Sequence, residues 1–299
     1  MFNEQTQYFF WDLLQYTING ISQGSIYALI ALGYTMVYGI IRLVNFAHGE
    51  FLMIGAMAGF YFTQWGLSPL QALPLSMFVS GVFALIVERA VYRPIRHQGR
   101  IPALITAIGT SLLFQYAGQI LFGADPKTMA PIIEEKSFDF GEVYFSNIQL
   151  LIFLVTIFVM LFLWWLTHFT KIGKAMRAVS FNLNAAELMG INTNRIIAFT
   201  FFLGASLAGL AGMLVSYTMS IEPMMGTMPG IKAFVAAVVG GIGVIPGAAI
   251  GGFILGITEN MVVGFYKASY RDAVAFIILI LILLFKPSGI LGKNIKEKV

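Results

Sequence analysis

Between Leu13 and Val87 the only ionic residues are Arg42 and Glu50, with His48 between them. A bilayer crossing takes about 20 apolar residues, so this stretch holds three helices, at roughly 17–41, 46–65 and 70–90. The rest of the chain is depleted in the same way. Charged residues make up 11% of the sequence and hydrophobic ones 58%, where a soluble domain carries about 25% charged. Folding cannot hide that deficit, so much of the outer surface must face lipid. The expected fold class is an all-α, polytopic helical membrane protein.

Further apolar runs cover 102–123, 149–168, 196–218, 231–246, 247–266 and 271–286. The first of the last three is short, which predicts a broken or re-entrant segment and a total of eight or nine helices, nine on charge grounds. Arg89, Arg93, Arg96 and Arg100 form one basic cluster; Lys171, Lys174, Arg177 and Arg195 form another. The positive-inside rule places both in the cytoplasm. It places the acidic segment 124–148, with Asp125, Glu134, Glu135, Asp139 and Glu142, on the opposite, outer side. Parity then puts the short N-terminal segment 1–14 outside and the tail 287–299 inside. The first 41 residues lack Lys and Arg, so no cleavable signal peptide is expected. The net charge of +4 resides in these short loops, so no nucleic-acid partner is expected. Trp164 and Trp165 stand where interfacial anchors belong.

Three motifs interrupt the apolar pattern. Asn45-Phe46-Ala47-His48-Gly49-Glu50 is the densest polar cluster. It is either part of a solute path or gate, since ionisable groups in membranes are usually paired and functional, or an interfacial turn in which Arg42 pairs Glu50. The block 240–252 is rich in glycine. Gly243, Gly247 and Gly251 repeat every four residues, as do Gly252 and Gly256, predicting helix faces that admit a close neighbour. Pro246 should break or kink the helix there, and interrupted membrane helices point to transport paths; Gly243, Pro246 and Gly247 join Asn45, His48 and Glu50 as path candidates. In the loop 175–195, Asn184 reads as the N-cap of a very short helix with Glu187 at its third position, and Gly190 as its left-handed stop. A helix that short is not stable alone; it docks either on this protein's own helix ends or in a partner's groove.

Several chemistries are not expected. There is no phosphate-binding Gly-x-x-x-x-Gly-Lys-Ser/Thr loop and no cysteine. The His48–Glu50 spacing is not the i, i+4 pair of a metalloprotease, and His97 and His168 fall at expected interfaces. No metal, cofactor or catalytic role is therefore assigned.

From about Thr17 to the tail the chain resembles the LivH-type permease subunits of branched-chain amino-acid ABC transporters. The resemblance rests on several motifs in one order. They are Ser25-Ile26-Tyr27-Ala28-Leu29, Gly33-Tyr34-Thr35-Met36-Val37-Tyr38-Gly39, the Asn45–Glu50 cluster, Glu88-Arg89 with Tyr92-Arg93-Pro94-Ile95-Arg96, Ala185-Ala186-Glu187-Leu188-Met189-Gly190-Ile191-Asn192, the glycine block, and Pro287-Ser288-Gly289-Ile290-Leu291-Gly292. It implies a single permease domain over 1–299 in a bacterial inner membrane, with the acidic segment 124–148 as a periplasmic loop. It also implies a second permease subunit, two cytoplasmic ATP-binding subunits and a periplasmic binding protein that delivers leucine, isoleucine or valine. Ala185, Ala186, Glu187, Gly190, Ile191 and Asn192 match the family's coupling loop, within 171–195, which engages the ATPase. Related permeases for urea, short amides or other amino acids look alike. An ion-coupled secondary transporter is a further alternative; it needs buried acids, for which the sequence offers Glu50 and Glu259, both read as near helix ends.

Overall fold

The computed structural model describes residues 4–96, 98–129 and 133–292; His97 and the tail beyond Gly292 lie outside them. Helix α1 (Glu4–Ile41) is 38 residues long. No proline stands before its membrane portion, so the segment expected to precede the first span continues as the same helix from Glu4. Its stretch from Gly24 to Val37 is buried on every side, as a helix apolar all round must be. It is the central post of the bundle.

Around it run α2 (His48–Gln64) and α3 (Pro69–Val87), whose start carries a Ser68/Gln71 capping box. A π-helical turn, Glu88–Tyr92, leads to α4 (Arg93–Ile95) and then α5 (Arg100–Phe122). The acidic segment contains an unforeseen hairpin, β1 (Ser137–Phe140) paired antiparallel with β2 (Val143–Ser146). Then come α6 (Asn147–Phe169), α7 (Lys171–Phe181), α8 (Leu183–Leu188), α9 (Thr193–Val215), α10 (Thr227–Gly240), α11 (Ile245–Phe265) and α12 (Arg271–Phe285). Among the described residues, seven helices are long and apolar enough to cross a membrane. Two shorter helices, α2 and α10, at 17 and 14 residues, lie where the remaining two of the nine expected spans fall.

Glycines set the closest approaches. A Cβ on Gly252 would lie 2.6 Å from the Ala28 nitrogen, and one on Gly24 2.8 Å from the Gly252 carbonyl oxygen. So α1 and α11 touch backbone to backbone, the packing that small residues permit in membranes. Gly247 and Gly251 face the other way, against Gly240 and Ala236 of α10. Gly243 does not share that helix face: it lies in the connection between α10 and α11 with φ +94°.

The break falls where expected but not by the expected means. Residues 241–244 leave the helix at Gly241, φ +110°. Pro246 sits in the first turn of α11, where its missing N–H is no loss; it starts a helix rather than kinking one. The freed carbonyls at the end of α10 find donors in the C-terminal segment: Ile290 N–H donates to Val239 O at 2.8 Å and Leu291 N–H to Gly240 O at 3.0 Å. Helices α5, α6 and α12 leave rows of Ile, Leu and Phe exposed, along with Trp164 and Trp165. That outer face suits lipid or a second subunit.

Candidate functional site

One end of the bundle gathers the basic loops. Arg96, just past α4, donates from Nη2 to Asn194 Oδ1 at 2.7 Å, so the two basic clusters meet at the same end. There α8 is a single short turn of helix between two caps. Asn182, not Asn184, is its N-cap, accepting from Ala185 N–H at 3.0 Å. Glu187 does not close a capping box either; its carboxylate accepts from Thr193 Oγ1 at 2.5 Å and ties the end of α8 to the start of α9. Gly190, at φ +81°, ends the helix as a Schellman motif, with Gly190 N–H to Glu187 O and Ile191 N–H to Ala186 O. Asn192 caps α9 through Arg195 N–H.

Ala186 is buried and Ile191 partly so, anchoring α8 inward, while Ala185, Glu187, Gly190 and Asn192 are exposed. Beside them Phe181, Leu188 and Met189 project with 88, 89 and 82% of their surface exposed. Three large apolar side chains on a basic loop form a surface lacking a cover among the described residues.

The polar side chains of the Asn45–Glu50 cluster are buried, and they turn to different neighbours. Asn45 Oδ1 accepts from Tyr92 OH at 2.7 Å and from Ala47 N–H at 3.0 Å. The His48 ring lies against Tyr34, 4.5 Å between centroids. Glu50 Oε1 accepts from Ser111 Oγ at 2.8 Å and Gln115 Nε2 at 2.7 Å, and Gln115 also donates to Thr227. Arg42 does not pair with Glu50: among the described residues the ion pairs involve other groups, because Glu50 sits on the side of α2 that faces α5. Glu50 Oε2 is buried without a hydrogen-bond partner among the described residues, and its partners Ser111 and Gln115 line, with Phe46 and Thr227, a cleft of about 220 Å³. Gly243 and Pro246 line a separate cleft of about 360 Å³ with Thr35, Gly39 and Thr167. The path candidates thus form two groups, not one chamber.

At the opposite end of α9 from α8, a third group joins four helices. Lys232 of α10 lies 3.0 Å from Glu259 of α11 and 2.8 Å from Asp272 of α12. Tyr27 of α1 donates its hydroxyl to Glu259 at 2.9 Å. Glu259 is completely buried, six residues before the end of α11, about 9 Å along the axis, and so deeper than the interfacial position read from sequence.

Comparison with known proteins then decides the kinship. Residues 16–283 match the family model described as branched-chain amino acid transport system / permease component. The chain belongs to this permease family. The permease is 45% identical to the high-affinity branched-chain amino acid transport system permease protein BraD of Pseudomonas aeruginosa, over 97% of this chain and 99% of that one. It is 42% identical to LivH of Escherichia coli K12, over 99% and 100%. Among solved structures, PsaBC from Streptococcus pneumoniae in complex with Fab aligns over 93% of this chain and 91% of that one, at 15% identity and a TM-score of 0.45.

Two features of the permease escaped the sequence reading. Phe181, Leu188 and Met189 look like ordinary apolar residues until their exposure is seen. Lys232 carried a legible signal: it is the sole charged residue between Glu222 and Glu259, and a lone lysine in apolar sequence requires a buried counter-charge.

Proposed function

We propose that this chain is one of the membrane-spanning subunits of an ATP-driven importer of leucine, isoleucine and valine, and that α8 with its flanks is the helix through which cytoplasmic ATPases move it. The observation that carries this reading is α8 itself. It is rigidly tied to α9 through Glu187 and Thr193, yet offers Leu188 and Met189 to whatever lies beyond. A force applied to those knobs is passed to a long membrane helix. Kinship with BraD and LivH, named as branched-chain amino acid permeases, supports the cargo.

In this reading the basic end is cytoplasmic and the acidic hairpin periplasmic. The exposed carboxylates Asp125, Glu134, Glu135, Asp139 and Glu142 then face a solute-binding protein, and a second permease subunit completes the pathway. The machine is a two-state switch biased by ATP, with Asn45, His48 and Glu50 on one side and the Gly243–Pro246–Gly247 break on the other as moving parts of the path. An ion-coupled mechanism needs a free buried acid. Glu259 is met by Lys232, which removes one of the two candidate acids; Glu50, held by Ser111 and Gln115 rather than by a cation, is the acid that alternative would have to use.

The test is reconstitution with the partner permease, ATPases and binding protein in proteoliposomes. ATP-dependent leucine uptake is expected, with Leu188→Asp abolishing it while leaving the subunit folded. Uptake that ignores ATP, or that survives Leu188→Asp unchanged, refutes the coupling assignment.

A further inference from the structure

The end of the bundle remote from α8 holds a cleft of about 650 Å³, within the range of small-molecule sites. Its walls are loops and helix ends from α1, α9, α10 and α12, and their chemistry is mixed. Lys232, Arg271, Asp272 and Glu222 line it together with Met219, Met224, Met225 and Met228.

A purely structural ion pair would need only Lys232 and Glu259. Arg271 and Asp272 add a second cation and a second anion to that pair, and Glu222 lines the same cleft outside any ion pair among the described residues. Arg271 Nε stands 3.9 Å from Glu259, buried and without a hydrogen-bond partner among the described residues. Asp272 meets Lys232 at 2.8 Å but is half exposed, so it is the partner that another carboxylate can displace. Methionines are flexible and polarizable enough to fit several aliphatic shapes. Cations, anions and adaptable methionines lining one small cleft match a zwitterion with an apolar side chain.

Resting on the importer reading above, we propose that this cleft is the receiving site for the solute on the side away from α8. The solute's α-carboxylate meets Arg271 and Lys232, its ammonium meets Asp272 and Glu222, and its aliphatic chain lies on Met224 and Met228. Because the pocket reads both charges, it takes free α-amino acids and rejects analogues lacking either.

The chain contains no cysteine, so Met228→Cys introduces a unique label on this subunit. The assembled transporter in nanodiscs is treated with a membrane-impermeant maleimide and labelling of Cys-bearing subunit is timed with L-leucine, L-leucinol (no carboxylate) or isovalerate (no ammonium). L-leucine slows labelling several-fold and the two analogues do not. Arg271→Gln raises the half-protecting leucine concentration about tenfold, as loss of one charge-assisted hydrogen bond implies. Met224→Cys serves as the reporter if Met228→Cys fails to assemble.

Leucine uptake is measured in parallel on the same preparations. Uptake without protection, protection by leucinol equal to that by leucine, or an Arg271→Gln subunit protected like the parent overturns the site while leaving the importer reading standing. Absence of ATP-dependent uptake in the unsubstituted transporter overturns the importer reading, and the cleft assignment falls with it.

Discussion

Replacing Lys232 with methionine is the perturbation whose outcome follows most directly from the geometry. The substitution conserves the stem and removes the charge that faces Glu259 at 3.0 Å. Glu259 has no exposed surface and keeps only the Tyr27 hydroxyl at 2.9 Å and Arg271 at 3.9 Å. Breaking a buried pair by removing one partner costs about 3–5 kcal/mol. The two remaining contacts put this case at the lower end, about 3 kcal/mol. The Lys232–Asp272 contact adds little, since Asp272 is half exposed and exposed pairs contribute below about 1 kcal/mol. At roughly 2–4 °C per kcal/mol, midpoint loss should be about 6–12 °C. The double variant Lys232→Met with Glu259→Gln removes both charges, retains the Tyr27 hydrogen bond, and should recover most of the loss. The assay is the temperature at which half the detergent-solubilised subunit leaves its monodisperse size-exclusion peak. A single variant melting within a degree or two of the parent, or a double variant melting below both singles, refutes the reasoning.

Gly252→Leu should cost at least about 3 kcal/mol, because its Cβ already falls 2.6 Å from Ala28 backbone and overpacking of this kind has no flexible atom to yield; the same melting assay reads it, and a neutral result denies the α1–α11 contact. Gly190→Ala places a side chain in the left-handed region at φ +81° and should cost about 1–2 kcal/mol locally, seen as lost leucine-stimulated ATP hydrolysis with the membrane-embedded fold retained. Glu50→Gln keeps an acceptor for Ser111 and Gln115 and should be tolerated, whereas Glu50→Ala orphans two donors at about 1–3 kcal/mol. Equal stability of the two variants would show that Glu50 is not their anchor.

The membrane helices were legible because run length and charge spacing are local properties that a bilayer constrains strongly. The α10–α11 interruption was legible too, but its mechanism was misread: Gly241 and Gly243 supply the positive φ values, and Pro246 merely opens the next helix. In the short loop two asparagines two residues apart were both competent caps. Asn182 took the role, and Thr193 took the carboxylate of Glu187, a choice made by the start of α9 rather than by the local pattern. Arg42 and Glu50 are neighbours in sequence, yet Glu50 answers to Ser111 and Gln115, some sixty positions away. Such pairings depend on which helix lies beside which, and that information is spread over the whole chain. The Lys232–Glu259 pair has the same origin, although its lone charges announced that some partner must exist.

The hydrogen bonds from Ile290 and Leu291 to the end of α10 have a practical meaning. They splice residues 290 and 291 onto the discontinuity between α10 and α11, so that a segment about fifty residues further along the chain completes the end of α10. A label carried at residues 290–292 is therefore coupled mechanically to the interrupted segment. On the importer reading proposed above that segment moves, and a label meant to be passive becomes a probe of the motion.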